Sequence, residues 1–325
     1  MTMARAIRLS VVPQGPIDRS LFVFSHEEVP EPRAGELTIR AIMVSVDPYL
    51  MMPIRAGTFP EGRIKSRIIA RVEKSEAEGF SAGDLVLGFA RWQDRDTVPA
   101  SEMRRIEPVL PLSAYLGLVG HSGFTALLGI DILDPQPGQT VTISSAAGMV
   151  GMVAAQMAKA AGAQIVAIAG GGKAQQVVDL FGLHAAVDHG PPGLADRIAY
   201  VCPHGIDRHF ENVGAKILDP VLGLANKAAR VALCGMIQHY GDDAPICFSN
   251  FRQVLLNQIS ITPFSIYDHE ADYPAALSRL EAMAQQGRLH APETIHVGFD
   301  AIPEALLAML AGDGIGKHLV RVAAG

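Results

Sequence analysis

The chain has 325 residues, of which 49% are hydrophobic and 18% are charged, and its formal net charge is −6. This balance is typical of a well-buried α/β enzyme and excludes a disordered chain, while the length allows two domains with separate cores. The mild negative charge offers no basic face for a nucleic acid and no polybasic anchor for a membrane surface, so we expect neither partner.

Apolar runs and cysteines give the expected compartment. The N-terminal segment has no apolar run long enough for a signal peptide, and residues 149–169 are too polar for a membrane span, so we expect a cytoplasmic protein. The three cysteines, Cys202, Cys234 and Cys247, are widely spaced and form no Cys-x-x-Cys pair. The sequence therefore predicts neither a disulfide framework nor a metal site.

The first third of the chain has the pattern of short strands separated by turns. Apolar runs at residues 36–44, 68–73 and 84–89 are punctuated by prolines and glycines. This pattern predicts a β-rich domain, such as a small barrel, up to about Pro111.

From Leu112 onward, Ala-, Leu- and Gly-rich helices alternate with apolar strands, which predicts a doubly wound parallel sheet with helices on both faces. A helix at 303–310 and a strand at 318–322 end the chain, and this strand needs a sheet to join. We expect it to return to the first domain. The predicted domains are residues 1–115 with 295–325, and residues 116–294. The predicted strands of the parallel sheet include 141–145, 164–169, 230–235 and 259–264.

The first of these strands runs directly into a glycine-containing turn and a helix. Ala146 takes the first glycine position of a dinucleotide fingerprint, Gly148 leaves room for a phosphate, and Gly151 lets the helix lie close to its strand. Met149 and Val150 lie between these glycines. Small residues before a helix also serve packing alone, but the strand and helix context predicts a pyrophosphate site at this helix N-terminus.

The second strand ends at Gly170-Gly171-Gly172-Lys173. An NAD site normally carries Asp or Glu here for the ribose 2′-hydroxyl. This stretch holds no acid to repel a 2′-phosphate, and Lys173 offers a cation to bind one. The alternative is that Lys173 is a solvated lysine that opens the next helix. We predict NADP(H) rather than NAD(H), with Gly170 close to the cofactor.

Six motifs together resemble the medium-chain dehydrogenase/reductase superfamily, and within it the zinc-independent, NADP-dependent branch of prostaglandin, alkenal double-bond and curcumin reductases. The resemblance covers nearly the whole chain and implies a Rossmann nucleotide domain, a GroES-like β-rich domain and a homodimer, with 259–266 as a candidate pairing edge. The motifs are Asp47-Pro48-Tyr49, Gly123-Phe124-Thr125-Ala126, Ser145-Ala146-Ala147-Gly148-Met149-Val150-Gly151, Phe210-Glu211-Asn212-Val213-Gly214, Cys234-Gly235-Met236-Ile237 and Gly312-Asp313-Gly314-Ile315-Gly316-Lys317.

The resemblance also implies roles for single residues. Tyr267 matches the active-site tyrosine of the branch and Tyr49 a residue of the opposite wall, although either can equally be an amphipathic core residue. Glu211 is expected to brace the turn that carries the cofactor contact. The expected cofactor contacts outside the glycine turn are Asn212, Cys234, Gly235 and Met236, with His189 in place of a tyrosine of the branch and Gly314 in place of an asparagine.

Two further departures concern the substrate side. Leu50-Met51 lacks an arginine that the branch usually carries, which makes a carboxylate-bearing substrate less expected, and His121-Ser122 replaces Met-Pro. The resemblance implies NADPH-dependent reduction of the carbon–carbon double bond of an α,β-unsaturated aldehyde or ketone without a metal. The alternatives are an NADP-dependent quinone or alcohol oxidoreductase on the same fold, and a non-catalytic NADPH-binding protein.

Overall fold

The computed structural model describes residues 2–241 and 244–323. The α-helices in these residues are α1 (Met51–Ala56), α2 (His121–Leu133), α3 (Met149–Ala160), α4 (Lys173–Phe181), α5 (Leu194–Val201), α6 (Ala215–Leu224), α7 (Arg252–Leu256), α8 (Tyr273–Gln285) and α9 (Ile302–Ala311). The strands in the same residues are β1 (Thr2–Leu9), β2 (Phe22–Val29), β3 (Glu36–Ser45), β4 (Lys65–Ser75), β5 (Leu85–Arg91), β6 (Arg95–Pro99), β7 (Met103–Arg105), β8 (Thr140–Ser144), β9 (Gln164–Ala169), β10 (Ala185–Asp188), β11 (Ile206–Glu211), β12 (Ala225–Leu233), β13 (Ser260–Pro263), β14 (Glu293–Val297) and β15 (Lys317–Arg321).

The described chain divides into two compact units. The split unit comprises Met1–Leu116 and Glu293–Gly325, and the central unit comprises Gly117–Pro292. None of the helices in residues 2–241 and 244–323 has the length and apolar character that crossing a membrane requires.

The split unit is rich in β-structure. Its larger sheet has the order β14-β15-β3-β4-β5-β7 with β6 also paired to β3, and β1 and β2 form a separate hairpin. The strand β15 pairs antiparallel with β3, Leu319 opposite Ser45, so the end of the chain does return to the sheet of the first part. Trp92 is fully buried in the core of this unit, where its indole nitrogen donates a hydrogen bond of 2.9 Å to Ser66 Oγ.

The central unit contains the parallel sheet that the sequence predicts. Its order among the described strands is β10-β9-β8-β11-β12-β13, and every pairing is parallel. The chain therefore proceeds outward from β8 in one direction and from β11 in the other, which is the arrangement of a doubly wound nucleotide-binding fold. The predicted fold class is confirmed.

Some strand bounds differ from the prediction. The strand β12 begins at Ala225 rather than at residue 230, because Ala225 pairs with Ile206 across a shift in register. Ala228 interrupts the strand with a φ of 62°, so its early part lacks the regular apolar pattern that marks a strand in the sequence. By contrast, β9 coincides with the predicted 164–169.

Candidate cofactor and active site

The predicted site residues of the central unit all lie after the carboxyl end of a strand in the parallel sheet. Parallel strands end at the same edge of a sheet, and the crevice at that edge beside the topological switch point is where open α/β sheets bind ligands. The switch point here lies between β8 and β11. The residues are Ala146, Gly148, Met149, Val150 and Gly151 after β8, Gly170 and Lys173 after β9, His189 after β10, Asn212 after β11, Cys234, Gly235 and Met236 after β12, and Tyr267 after β13.

The turn after β8 brings α3 close to its strand. A Cβ atom on Gly151 would lie 2.5 Å from Ser145 O and 2.8 Å from Ala146 Cα, so a side chain at this position would push the helix off the turn. Gly148 is the N-cap residue of α3 and has no side chain to cover the amides of the first turn. This helix start fits an anion such as a pyrophosphate.

The glycine loop after β9 lies beside the end of β10. Lys173 is the first residue of α4, and the imidazole of His189 lies against Gly170, where a Cβ atom would be 3.0 Å from His189 Cε1. Any larger residue at position 170 would displace this ring. The structure thus brings three residues predicted at the adenosine end of the cofactor into one region.

An acid at this edge was not predicted. The stretch after β9 holds no acid, but the neighbouring β10 brings up Asp188, whose carboxylate accepts hydrogen bonds from the backbone nitrogens of Gly172 at 3.0 Å and Gly190 at 2.8 Å. These bonds hold the pKa of Asp188 below its usual range. The stretch itself lacks an acid as predicted, and Asp188 comes to it from the neighbouring strand because strand pairing places side by side residues that are distant in the sequence.

The turn after β11 is fastened to β8 by buried polar groups. Glu211 accepts hydrogen bonds from Ser144 Oγ and from the backbone nitrogen of Gly214, both at 2.9 Å, and from that of Val213. Asn212 donates its backbone N–H to Ser144 Oγ at 2.7 Å and its side-chain Nδ2 to Ser144 O at 2.8 Å. Glu211 therefore braces the turn through its carboxylate. The side-chain Nδ2 of Asn212 also helps to hold the turn against β8.

A histidine extends this network into the sheet. His209 Nε2 lies 2.7 Å from Glu211 Oε2, and its Nδ1 lies 2.8 Å from Thr142 Oγ1. The His209 and Glu211 side chains are only 1% and 0% exposed. The sequence does not reveal the role of His209, although Thr142 and Ser144, which alternate with apolar residues in the buried strand β8, indicate that polar partners lie on the neighbouring strand.

The loop after β12 is joined to the same turn. The backbone nitrogens of Cys234 and Gly235 both donate to Glu211 O, at 2.9 and 3.1 Å, and Met236 N donates to Tyr240 Oη at 3.2 Å. Burial and the nearby Glu211 raise the pKa of the Cys234 thiol to about 12. Cys234 therefore remains a neutral thiol near neutral pH.

Tyr267 follows β13 and is 54% exposed. The rings of Tyr267 and His121 meet edge to face, with their centroids 6.2 Å apart, and the ring of Tyr273 lies 5.0 Å from that of His121. His121 is the first residue of α2. His121, which replaces a methionine of the branch, thus packs against Tyr267, the tyrosine predicted at the active site.

The other two predicted site residues belong to the split unit. Tyr49 lies in the short helical turn Pro48–Leu50 and packs against the core of this unit. Gly314 has a φ of +73°, and a Cβ atom there would lie 2.6 Å from Thr294 Oγ1, so the asparagine of the branch would not fit beside Thr294.

An ion pair joins two of the recognised motifs within the split unit. The Nζ atom of Lys317, a residue that is 4% exposed, pairs with the carboxylate of Asp47 and donates to Val46 O at 3.3 Å. Asp47 also accepts a hydrogen bond from Ser45 Oγ. The pair fixes the start of the segment that carries Tyr49.

Comparison with known proteins agrees with this arrangement. The family model for zinc-binding dehydrogenases matches residues 150–282, and the model for the N-terminal domain of oxidoreductases matches residues 5–106. The chain is 34% identical to the protein YfmJ of Bacillus subtilis over 97% of both chains. It is 30% identical to the NADPH-dependent curcumin reductase of Escherichia coli, over 93% of this chain and 92% of that one.

The chain belongs to the medium-chain dehydrogenase/reductase superfamily, in the branch of prostaglandin, alkenal and curcumin reductases. A solved member is CurA of Vibrio vulnificus in complex with NADPH, which is 30% identical, covers 99% of this chain and all of its own, and has a TM-score of 0.91. Among residues 2–241 and 244–323, no group of three or more His, Cys, Asp or Glu side chains is placed to hold a metal ion.

Proposed function

We propose that this protein reduces the carbon–carbon double bond of α,β-unsaturated aldehydes and ketones with NADPH. It is an NADP-dependent oxidoreductase, as its relatives are: the curcumin reductase of Escherichia coli is NADPH-dependent by name, and the 2-alkenal reductase of Nicotiana tabacum is NADP(+)-dependent. The observation that carries the proposed reaction is the exposed Tyr267 at the same sheet edge as the glycine turn of Gly148 and Gly151.

The residues at this edge fit the cofactor. The α3 start behind Gly148 suits the pyrophosphate, and Lys173 with His189 suits the adenosine phosphate. The braced turn at Asn212 and the loop at Cys234 lie together beside the switch point and suit the nicotinamide end. When bound, the reduced nicotinamide supplies the hydride that adds to the β-carbon of the substrate.

The chain then has to stabilise the negative charge that develops on the carbonyl oxygen. We assign this role to the hydroxyl of Tyr267, which donates a hydrogen bond to the oxygen as the enolate forms. A proton from water or from the cofactor ribose then adds to the α-carbon, which balances the reaction. Since a hydrogen-bond donor meets the charge, the reaction needs no metal ion. Tyr49 remains the predicted second tyrosine of the site.

The test is the decrease in NADPH absorbance with enals, enones and quinones, with NADH and the oxidation of secondary alcohols in parallel. Enone-dependent oxidation that prefers NADPH is the expected result. In Tyr267→Phe, kcat on an enone should fall by about 100-fold, the order of magnitude for loss of one oxyanion donor, while the Kd for NADPH stays unchanged.

Turnover of quinones or alcohols alone would refute enone reduction in favour of an oxidoreductase of that class. Tight NADPH binding without turnover of any of these substrates would instead indicate a binding protein. A Tyr267→Phe variant with wild-type kcat would remove Tyr267 from the reaction.

We also propose that the two units have separate tasks and that the protein is a homodimer. We assign cofactor binding to the central unit and substrate binding mainly to the split unit. The strand β13 lies at an edge of the parallel sheet, so its outer side offers backbone groups for pairing with a second copy. Size-exclusion chromatography with mass detection tests this assembly, and a monomer at micromolar concentration would refute it.

A further inference from the structure

We propose that Lys216 is a ligand of the 2′-phosphate of NADP(H), and that it helps to set the preference of this protein for NADPH over NADH. The inference rests on the proposed use of NADP(H) but not on the substrate. Lys216 belongs to none of the motifs by which the cofactor site is recognised, and its position in the fold supplies the argument.

Lys216 reaches the adenosine end of the site from a different element. It is the second residue of α6, and its Nζ atom lies 3.5 Å from His189 Nδ1. His189 follows β10 and lies against Gly170, and Lys173 opens α4 behind the glycine loop. The end of β10 and the starts of two helices thus bring two lysines and an imidazole to one place.

The backbone of Lys216 is anchored while its side chain is exposed. Its backbone nitrogen donates to Gln238 Oε1 at 3.0 Å, and the preceding Ala215 N donates to His239 Nε2 at 3.2 Å. These bonds fix the first turn of α6 at the sheet edge. The ammonium group is then free to meet a ligand, since its neighbour is an imidazole and not a carboxylate.

The local charge favours an anion. Burial lowers the pKa of His189, and the positive charges of Lys216 and, to a smaller extent, Lys173 lower it further, while Asp188 opposes them. The same two lysine charges that disfavour a proton on His189 attract a phosphate dianion. Arg197 also lies here and donates to the backbone oxygen of Asp188 at 2.9 Å.

The acid at this edge does not cancel the effect. The two oxygens of Asp188 are already occupied by the backbone nitrogens of Gly172 and Gly190. At His189, the two positive charges of Lys173 and Lys216 face the one negative charge of Asp188. NADH carries a hydroxyl where NADPH carries the phosphate, so the lysine charge discriminates between the two cofactors.

The test compares Lys216→Met with Lys227→Met, an exposed lysine of β12. Isothermal titration calorimetry gives the Kd for NADP⁺, NAD⁺, 2′,5′-ADP and 5′-ADP. In Lys216→Met, binding of NADP⁺ and 2′,5′-ADP should weaken by about tenfold, which corresponds to about 1.4 kcal/mol. Binding of NAD⁺ and 5′-ADP should stay unchanged, and Lys227→Met should behave like the wild type.

Equal weakening for the cofactors with and without the phosphate would overturn the inference, as would no change for any of them. A wild-type protein that does not prefer NADP⁺ would overturn the cofactor assignment itself, so the two failures are distinguishable. As an independent readout, the pKa of His189, followed by NMR, should rise in Lys216→Met because a neighbouring positive charge is removed. An unchanged His189 pKa would also contradict the inference.

Discussion

We predict that loss of the buried carboxylate of Glu211 lowers the free energy of unfolding of the central unit. This carboxylate lies with no exposed surface at the end of β11 and accepts hydrogen bonds from Ser144 Oγ and Gly214 N at 2.9 Å and from Val213 N. In Glu211→Ala, these donors lose their acceptor. We expect the central unit to be strongly destabilised, with the turn at Asn212 losing its fixed conformation.

The magnitude follows from the lost partners. Each buried donor left without an acceptor costs about 1–3 kcal/mol, and Glu211 accepts from three such donors, so the total is about 4 kcal/mol. His209 Nε2, which lies 2.7 Å from Glu211 Oε2, loses its neighbour as well. A loss of about 4 kcal/mol lowers the midpoint of a unit of this size by about 8–16 °C.

Differential scanning calorimetry measures this change, in the transition whose midpoint rises when NADP⁺ is added. The matched control is Glu211→Gln, which keeps an amide oxygen as acceptor for the backbone nitrogens and should lose less than half as much. The reasoning is refuted if Glu211→Ala lowers the midpoint no more than Glu211→Gln does.

Two further predictions test the glycine turn and the thiols. In Gly151→Ala the added methyl group would lie 2.5 Å from Ser145 O, so the free energy of unfolding should fall by about 1–3 kcal/mol and NADP⁺ binding should weaken. The control is Gly15→Ala, whose methyl group would have no atom within 4 Å and should change neither quantity. Calorimetry that finds the two variants alike would contradict the close approach. At pH 8 the exposed Cys247 should react with iodoacetamide long before Cys234. The reason is that the pKa of about 12 of the Cys234 thiol leaves only about one thiolate in 10,000. Peptide mapping that finds the two cysteines equally labelled would contradict the burial of Cys234.

Strands with a continuous apolar run were predictable from the sequence alone. The strand β9 has such a run directly before Gly170, and its observed bounds are those predicted. The start of β12 was not predictable, because Lys227 is exposed and Ala228 has a positive φ, so neither shows the pattern of a buried strand. The periodicity of apolar residues indicates which face of a strand is buried. It gives no signal where a strand pairs without being buried.

The sequence alone predicts the site residues that lie within one turn. It does not predict which residues from different turns the fold brings together. The role of Gly151 follows from the strand–turn–helix spacing, and the contact with Ser145 O accounts for it physically. The positions of Asp188 and Lys216 beside the glycine loop depend on strand order and on where α6 starts. Lys216 and His189 are 27 residues apart, a spacing with no local geometric meaning.

The hydrogen bonds of the network at the switch point explain why the polar side chains of His209 and Glu211 are tolerated inside this sheet. Ser144 ends β8 and is bound to Glu211 and Asn212 of the neighbouring strand end, so it joins the two halves of the sheet where their chain directions diverge. An apolar residue at position 144 would keep the backbone acceptor of Asn212 Nδ2, but it would remove the hydroxyl that accepts from Asn212 N and donates to Glu211. A hydrogen-bonded network fixes orientation as well as distance, and a crevice that must hold a nicotinamide in one pose requires both.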